Sequence, residues 1–177
     1  MQFLRIADHL IADIVGPALR PECERQRDFI VKEFKLCKVG ISFYTRVDET
    51  NNITSILHST ITGTDHKHLL QNIDLSKFYQ GPELAARKIL WAVFDRLIVS
   101  LHSDPGHAHY LNGTKFRFLA QQFSRAFEFV DSRRYKPYMH AMTDHVPFFL
   151  DRYGSLYRFS CQALENMHKV WSHCSFV

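Results

Sequence analysis

The chain has 177 residues, 46% of them hydrophobic and 14% aromatic, which is enough apolar material for one substantial core and excludes a linker or a disordered tail. Seven Gly and six Pro residues exclude collagen-like and low-complexity sequences. The formal net charge of +4, from 22 Lys and Arg residues against 18 Asp and Glu residues, is far below that of a basic arm. From the length and the apolar content, we expect a single domain spanning residues 1–177.

The first predicted elements are two helices that form a hairpin. Apolar residues recur at steps of three and four over residues 2–19, which describes one helix face, and Gly16-Pro17 is expected to end that helix. A second helix is predicted from about Pro21 to Cys37, with Pro21 in its first turn. Its buried stripe comprises Phe29, Ile30, Phe34 and Cys37.

A small β-hairpin is predicted at about residues 41–61. Residues 41–47 are rich in β-branched and aromatic side chains, residues 48–52 form a polar turn cluster, and residues 53–61 alternate again. A short helix over residues 64–71 follows, with Thr64 and Asp65 as its caps.

Two long helices form the centre of the chain. The first begins at Pro82 and ends near residues 104–106, and the second covers residues 114–130. The apolar face of the first comprises Leu84, Ile89, Leu90, Val93, Phe94, Leu97, Ile98 and Leu101. The second helix contains five phenylalanines, Phe116, Phe118, Phe123, Phe127 and Phe129. Their mainly helical spacing predicts core packing. A base-stacking platform beside Arg117 and Arg125 is the alternative.

A distorted helix and a last helix complete the chain after a polar break at residues 131–136. The helix over residues 137–153 contains Pro147, which predicts a kink or a break, and the last helix covers about residues 156–173. No internal repeat is present. The predicted fold class is therefore mainly α, a helical domain with one small β-hairpin.

The N-terminus and the cysteines indicate an intracellular protein. No apolar run approaches the roughly 20 residues of a membrane-spanning helix, and charges at Arg5, Asp8 and Asp13 interrupt the stretch where a secretory signal would be apolar. None of the four cysteines forms a C-x-x-C motif, so reduced thiols are expected at Cys23, Cys37, Cys161 and Cys174.

Two histidines carry the first sign of a site. His140 and His145 are five positions apart, which turns about 140° around a regular helix, so their rings converge only if the helix is distorted. Pro147 supplies a cause, and we predict that the two rings face each other near it. Imidazole is a zinc ligand, and ordinary polar residues on a helix are the alternative interpretation.

The following segment makes a resemblance visible. After H-x4-H-V-P come Tyr153-Gly154-Ser155-Leu156 and then Glu165, with Lys169 four residues later. This pattern, about 30 residues from Tyr138 to Lys169, resembles the C-terminal end of the catalytic core of RAG/Transib-type transposases. It is also similar to transposon-derived invertebrate proteins with an H-V-P-x-F, Y-G-S, F-S-x-Q-x-L-E run.

The resemblance implies specific roles and a fold context. His140 and His145 match the zinc-binding histidines of that family, in which two further cysteine ligands lie upstream in a C-x2-C. Glu165 matches the last member of the family's D-D-E triad, which holds two Mg²⁺ or Mn²⁺ ions on an RNase H-like core. Residues 1–137 then correspond to a helical insertion, and residues 138–177 to the zinc-histidine and glutamate segment. DNA is the implied partner and the nucleus the implied location.

The sequence also departs from the family pattern. It has no C-x2-C, and no aspartate-bearing strand precedes the helices. Asp8, Asp13 and Asp144 are candidates for the missing carboxylates, with surface or helix-cap charges as the alternative. Because a pair of divalent ions needs several carboxylate ligands, we expect a decayed fragment or a host-retained remnant that is catalytically incomplete on its own.

A non-catalytic helical module that binds DNA or protein is the second hypothesis. Residues 1–114 carry 13 basic and 13 acidic side chains, whereas residues 115–177 carry nine and five, so an anionic partner is expected on the last third. A solvated helical surface is the alternative, and a protein partner or a second copy stays open. The candidate DNA contacts are Arg133, Arg134, Lys136 and Lys169. A further candidate set of zinc ligands comprises Cys161, His168, His173 and Cys174. The alternative for Cys161 is an ordinary buried side chain.

Overall fold

Helices carry most of the residues in the computed structural model, which describes residues 2–49, 52–130 and 137–156. The two strands pair in one antiparallel hairpin, so the predicted fold class, mainly α with a small β-hairpin, is confirmed. The helices are α1 (Gln2–Val15), α2 (Glu24–Leu36), α3 (Gly63–Asn72), α4 (Gly81–Leu101), α5 (Gly113–Val130), α6 (Pro137–His140) and α7 (Val146–Tyr153), and the strands are β1 (Phe43–Val47) and β2 (Ile53–His58). Short 3-10 turns cover Gly16–Leu19 and Leu75–Lys77, and a π-helical turn covers Ala141–His145.

The turn between α1 and α2 is longer than the sequence predicts. The predicted helix start at Pro21 is wrong, because α2 begins at Glu24. The guanidinium of Arg27 donates to the carbonyl oxygens of Ala18, Arg20 and Pro21, at 3.0, 2.7 and 3.2 Å. These bonds satisfy three carbonyl groups of the turn that precedes the helix.

The hairpin is shorter than its predicted range. Tyr44 pairs with Leu57, and the register shifts between Arg46 and Val47. Ile41 and Ile61 lie outside the strands with their side chains buried in the core. Their apolar character therefore reflects core packing at the base of the hairpin.

The cap of α3 lies two residues before its predicted position. Thr62, not Thr64, is the N-cap: its hydroxyl accepts from the Asp65 backbone N–H at 3.3 Å, and its own backbone N–H donates to Asp65 Oδ2 at 3.0 Å. This reciprocal capping box satisfies two otherwise unbonded donors. The side-chain hydrogen bond from Thr62, more than any other contact, lowers the pKa of Asp65.

The core centres on α4 and α5. Phe94 and Phe123 are fully buried, and their rings stack with centroids 5.2 Å apart. The prediction that Ile89 belongs to the buried face of α4 is wrong, since 59% of its surface is exposed. A helix of this length presents more apolar residues than its neighbours cover.

Two buried polar contacts tie α1 to the rest of the molecule. Arg87 on α4 donates to Asp13 at 2.5 Å, and Nε2 of the buried His66 on α3 lies 2.9 Å from an oxygen of Asp8. The other ring nitrogen of His66, Nδ1, lies 2.7 Å from the carbonyl oxygen of Thr62. These contacts fix α1 over α3 and α4.

The N-terminus of α5 packs tightly on α7. The backbone N–H of Gly113 donates to Asp151 Oδ1 at 2.9 Å, so an α7 carboxylate sits at the start of α5, where it favours the helix dipole. Across the described ranges, no helix combines the length and hydropathy needed to cross a membrane. Cys23 and Cys37 are free thiols, as predicted.

Candidate metal centre

A π-helical turn distorts the helix that carries the two histidines. The backbone N–H of Val146 donates to the carbonyl of Ala141, five residues back, and α7 continues with Pro147 in its first turn. The hydroxyl of Thr143 donates to the carbonyl oxygens of Met139 and His140 at 3.1 and 3.2 Å, a contact that bends helices. The distortion predicted from Pro147 is therefore confirmed, and it takes the form of one wide turn without a break.

The wide turn brings His140 and His145 onto one face. Their ring centroids lie 4.9 Å apart, and the ring planes are nearly perpendicular, at 83°. Since a π turn advances more slowly around the axis than an α turn, a spacing of five residues returns close to the starting direction. The predicted convergence of the two rings is confirmed.

Asp144 orients the first of these rings. Its Oδ2 lies 2.8 Å from Nδ1 of His140 and 2.9 Å from the Thr143 hydroxyl oxygen. A carboxylate that accepts from Nδ1–H leaves the lone pair of His140 on Nε2, which is the arrangement found behind metal-bound histidines. Both side chains are more than half exposed, so an ion reaches them from solvent.

The ring separation meets one requirement of a zinc site. Two imidazoles on a tetrahedral Zn²⁺, at bond lengths of about 2.0–2.1 Å, place their ring centroids roughly 5 Å apart. The 4.9 Å separation of His140 and His145 meets that requirement. Within residues 2–49, 52–130 and 137–156, no group of three or more His, Cys, Asp or Glu side chains is placed to hold an ion.

The other residues singled out from the sequence fall outside the described ranges. Residues 131–136 include three of the predicted DNA contacts, and residues 157–177 include the fourth together with the matched glutamate and the further zinc-ligand set. They are Arg133, Arg134, Lys136, Lys169, Glu165, Cys161, His168, His173 and Cys174.

The three aspartates considered as catalytic carboxylates enter separate contacts. Asp8 lies against His66, Asp13 against Arg87 and Asp144 against His140. The first two contacts connect helices, and the third orients a histidine. In each case the carboxylate has a structural partner.

A second histidine pair lies in the loop between α4 and α5, where the sequence pattern H-x-H was the available signal. The ring centroids of His107 and His109 are 5.4 Å apart, with the planes inclined at 42°. The His109 backbone N–H donates to His107 Nδ1 at 3.3 Å. The ring spacing is comparable to that of His140 and His145, but no carboxylate among the described residues orients either ring. The pair therefore serves as a control for the effect of an oriented histidine.

The phenylalanines of α5 divide into two sets. Phe116, Phe123 and Phe127 are buried, so the prediction of core packing is confirmed for them. It is wrong for Phe118 and Phe129, which are 64% and 78% exposed. These two lie on the side of α5 that α4 and α7 leave open.

Comparisons of the chain with protein-family models, with curated proteins and with solved structures found no match.

Proposed function

We propose that the chain is a transposase-derived DNA-binding protein without catalysis of its own, in which His140 and His145 supply two of the ligands to a structural Zn²⁺ ion. The observation that carries this proposal is the convergence of the two rings on the π turn, 4.9 Å apart. The resemblance of residues 138–169 to the RAG/Transib-type transposases requires both histidines to bind the same zinc ion. An undistorted helix would have separated them by about 140°.

The contact between Asp144 and His140 supports the zinc assignment independently. A carboxylate bonded to the far nitrogen of a liganding histidine fixes its tautomer and strengthens the ligand. The 2.8 Å contact gives His140 that support before any ion binds. Two imidazoles fall short of the four ligands of a structural zinc site, and the sequence candidates for the remaining ligands are Cys161, His168, His173 and Cys174.

Zinc titration tests the proposal. The full-length chain, stripped with a chelator, is titrated with Zn²⁺ against a chromophoric competitor. We expect one equivalent per chain, a loss of at least tenfold in affinity for His140→Ala or His145→Ala, and a loss of about 10- to 100-fold for Asp144→Asn.

The matched control is the second histidine pair. His107→Ala and His109→Ala remove imidazoles from a pair with a similar ring spacing and should leave the affinity unchanged. Equal affinities in all five variants, or the absence of a bound equivalent in the wild type, would contradict the proposal.

DNA binding is supported by the charge of the last third of the chain. On α5, Lys115, Arg117 and Arg125 are exposed, against one acidic residue, Glu128. Duplex affinity should fall steeply with salt, and replacing Arg133, Arg134 and Lys136 together by Ala should make the salt dependence shallower by up to about 0.9 in the log–log slope for each phosphate that is no longer neutralised. Salt-independent binding, or a slope unchanged by the triple replacement, would count against this part of the proposal.

A protein-interaction module is the second candidate function, and the surface of α7 favours it. Phe148, Phe149 and Tyr153 are 54%, 41% and 50% exposed, and neighbouring rings are 5.5 and 6.1 Å apart. A cluster of exposed aromatic side chains is typical of a contact surface. Light scattering over a hundredfold concentration range tests self-association: a dimer that Phe149→Ala weakens would favour this candidate, and a monomer throughout would exclude a homo-oligomer.

A further inference from the structure

An apolar groove with a basic rim lies beside the N-terminal half of α5. Its volume is about 470 Å³. The side chains of Leu111 and Leu119 are almost completely buried, and Phe118, 64% exposed, stands at the edge of the groove. Among the described residues, the charged side chains that line it are both cationic, Arg96 from α4 and Lys115 from α5. The described lining comprises Arg96, Leu111, Thr114, Lys115, Phe118, Leu119 and Gln122.

The groove continues into a stripe along the exposed face of α5. At 100° per residue, the five members of this stripe lie within an arc of about 80°. Phe118 and Phe129 are separated by 11 residues, which is about 16 Å along the helix axis. From the N-terminal end, the stripe comprises Lys115, Phe118, Gln122, Arg125 and Phe129.

We propose that this groove and stripe bind single-stranded DNA, with bases stacked on Phe118 and Phe129 and phosphates held by Arg96, Lys115 and Arg125. The inference rests on the proposed function in taking DNA as the partner, but it uses a surface separate from the zinc-site histidines and from the basic residues at 133–136. Proteins that bind single strands combine such a positive groove with aromatic rings on which successive bases stack.

The order of side chains along α5 favours a single strand over other partners. Cationic and aromatic groups alternate, as phosphates and bases do along an unpaired strand. The apolar face of an amphipathic peptide would need a continuous apolar surface, which Gln122 and Arg125 interrupt. A duplex keeps its bases stacked internally, so its backbone would leave Phe118 and Phe129 without a partner.

Fluorescence anisotropy with a labelled 12-residue oligothymidylate and the full chain, at about 50 mM salt, tests the proposal, because salt weakens every phosphate contact. A stacking contribution of about 1–3 kcal/mol per base corresponds to a 5- to 150-fold loss of affinity for Phe118→Ala. Phe118→Leu keeps an apolar side chain but removes the aromatic face, so it should weaken binding nearly as much. Arg96→Ala and Lys115→Ala should each make the salt slope shallower by about 0.7.

Tyr44→Ala is the control, because that aromatic residue is 53% exposed on β1 and does not line the groove. Its affinity should equal that of the wild type. Since Phe118 is a surface residue, the variants should fold, and circular dichroism of each checks this.

Three results would overturn the inference: oligothymidylate binding that Phe118→Ala leaves unchanged, wild-type affinity in Phe118→Leu with loss only in Phe118→Ala, and tighter binding of an acidic amphipathic peptide than of the oligonucleotide. The second result would indicate that an apolar side chain at position 118 suffices and that bases do not stack on the ring. Duplex binding that depends on residues 133–136, together with oligothymidylate binding that Phe118→Ala leaves unchanged, would leave the proposed function standing and reject this inference alone. Failure to bind either form of DNA would reject both.

Discussion

At the scale of single residues, the least expected arrangement is a buried phenol beneath a buried guanidinium. The Arg87 Cζ atom lies 4.5 Å from the centroid of the Tyr79 ring, and the Tyr79 hydroxyl is buried without a hydrogen-bond partner among the described residues. Burial is the main reason that the pKa of Tyr79 rises to about 12. Burial opposes the charge of Arg87, but the hydrogen bond with Asp13 and the nearby negative charges outweigh it, so its pKa is raised.

Tyr79→Phe should therefore stabilise the protein. The change removes a buried hydroxyl that has no partner among the described residues and keeps the ring under Arg87, so the free energy of unfolding should rise by about 1 kcal/mol at pH 7. Urea unfolding measures this difference. Tyr44→Phe, at a 53% exposed position on β1, is the control and should have no effect.

The same variant should change the response to alkali. The pKa of Tyr79 is higher in the folded protein, about 12, than the ordinary value of 10 in the unfolded chain. The unfolded chain therefore loses the phenol proton first, and the wild type loses stability as the pH rises from 10 towards 12. Tyr79→Phe should lose less stability than the wild type between about pH 9 and pH 11, and an equal loss in both would show that this phenol is accessible to solvent.

At the scale of elements, the contact between α5 and α7 depends on the absence of a side chain at Gly113. A Cβ atom there would overlap the Pro147 carbonyl oxygen and the Asp151 carboxyl group. Pro147 lies in the first turn of α7, directly after the π turn, so this contact holds the distorted segment in place. The glycine is required by the close approach of two helices.

Gly113→Ala should separate these helices and destabilise the fold by about 2 kcal/mol, within the range for overpacked positions. Chemical denaturation gives the magnitude. Gly16→Ala adds the same methyl group where no atom lies within 4 Å, and it should be nearly neutral. Similar effects of the two substitutions would indicate that the packing of α5 on α7 is more compliant than this overlap implies.

The sequence anticipates the elements better than the contacts between them. Helical spacing and Pro82 are sufficient to place α4, and Pro147 with the spacing of His140 and His145 is sufficient to predict a distortion. The length of the wide turn depends on the Thr143 hydroxyl and on packing against α5, which no local pattern encodes. The match of His140, His145 and Glu165 to a family motif stays a prediction at the level of function.

The groove beside α5 shows a second limit of prediction. Helical spacing separates Phe118 and Phe129 from the three buried phenylalanines of α5, but it does not show that the exposed pair lies beside a groove. Arg96 reaches the same groove only because α4 packs against α5, at a distance of 22 residues in sequence from Phe118. Sites assembled by such packing have no signature within one element.

At the scale of the whole molecule, the proposed function depends on which ions the chain can hold. Asp8 and Asp13 are engaged by His66 and Arg87, and Glu165 is the one carboxylate that the proposed transposase resemblance assigns to the D-D-E triad. Two Mg²⁺ or Mn²⁺ ions about 4 Å apart need several carboxylates to offset their repulsion. The isolated chain should therefore hold a histidine-bound ion and no catalytic pair.

Incubation of the full chain with DNA and Mn²⁺ should accordingly give neither cleavage nor strand transfer. Glu165→Gln should behave like the wild type in this assay and should change the free energy of unfolding by no more than the few tenths of a kcal/mol of an i,i+4 pair with Lys169. Cleavage by the wild type that Glu165→Gln abolishes would show that other carboxylates, or a second chain, complete the catalytic site.

Zinc K-edge X-ray absorption of the full-length protein is the sharpest test of the histidine site, because it reports the ligands themselves. We predict bound zinc with imidazole nitrogen ligands at about 2.0–2.1 Å and outer-shell ring scattering from at least two histidines. In His140→Ala and in His145→Ala, the ring scattering should fall by the contribution of one imidazole, and in His107→Ala it should not change. A spectrum without imidazole scattering, or one that all three variants leave identical, would contradict the assignment of His140 and His145 as zinc ligands.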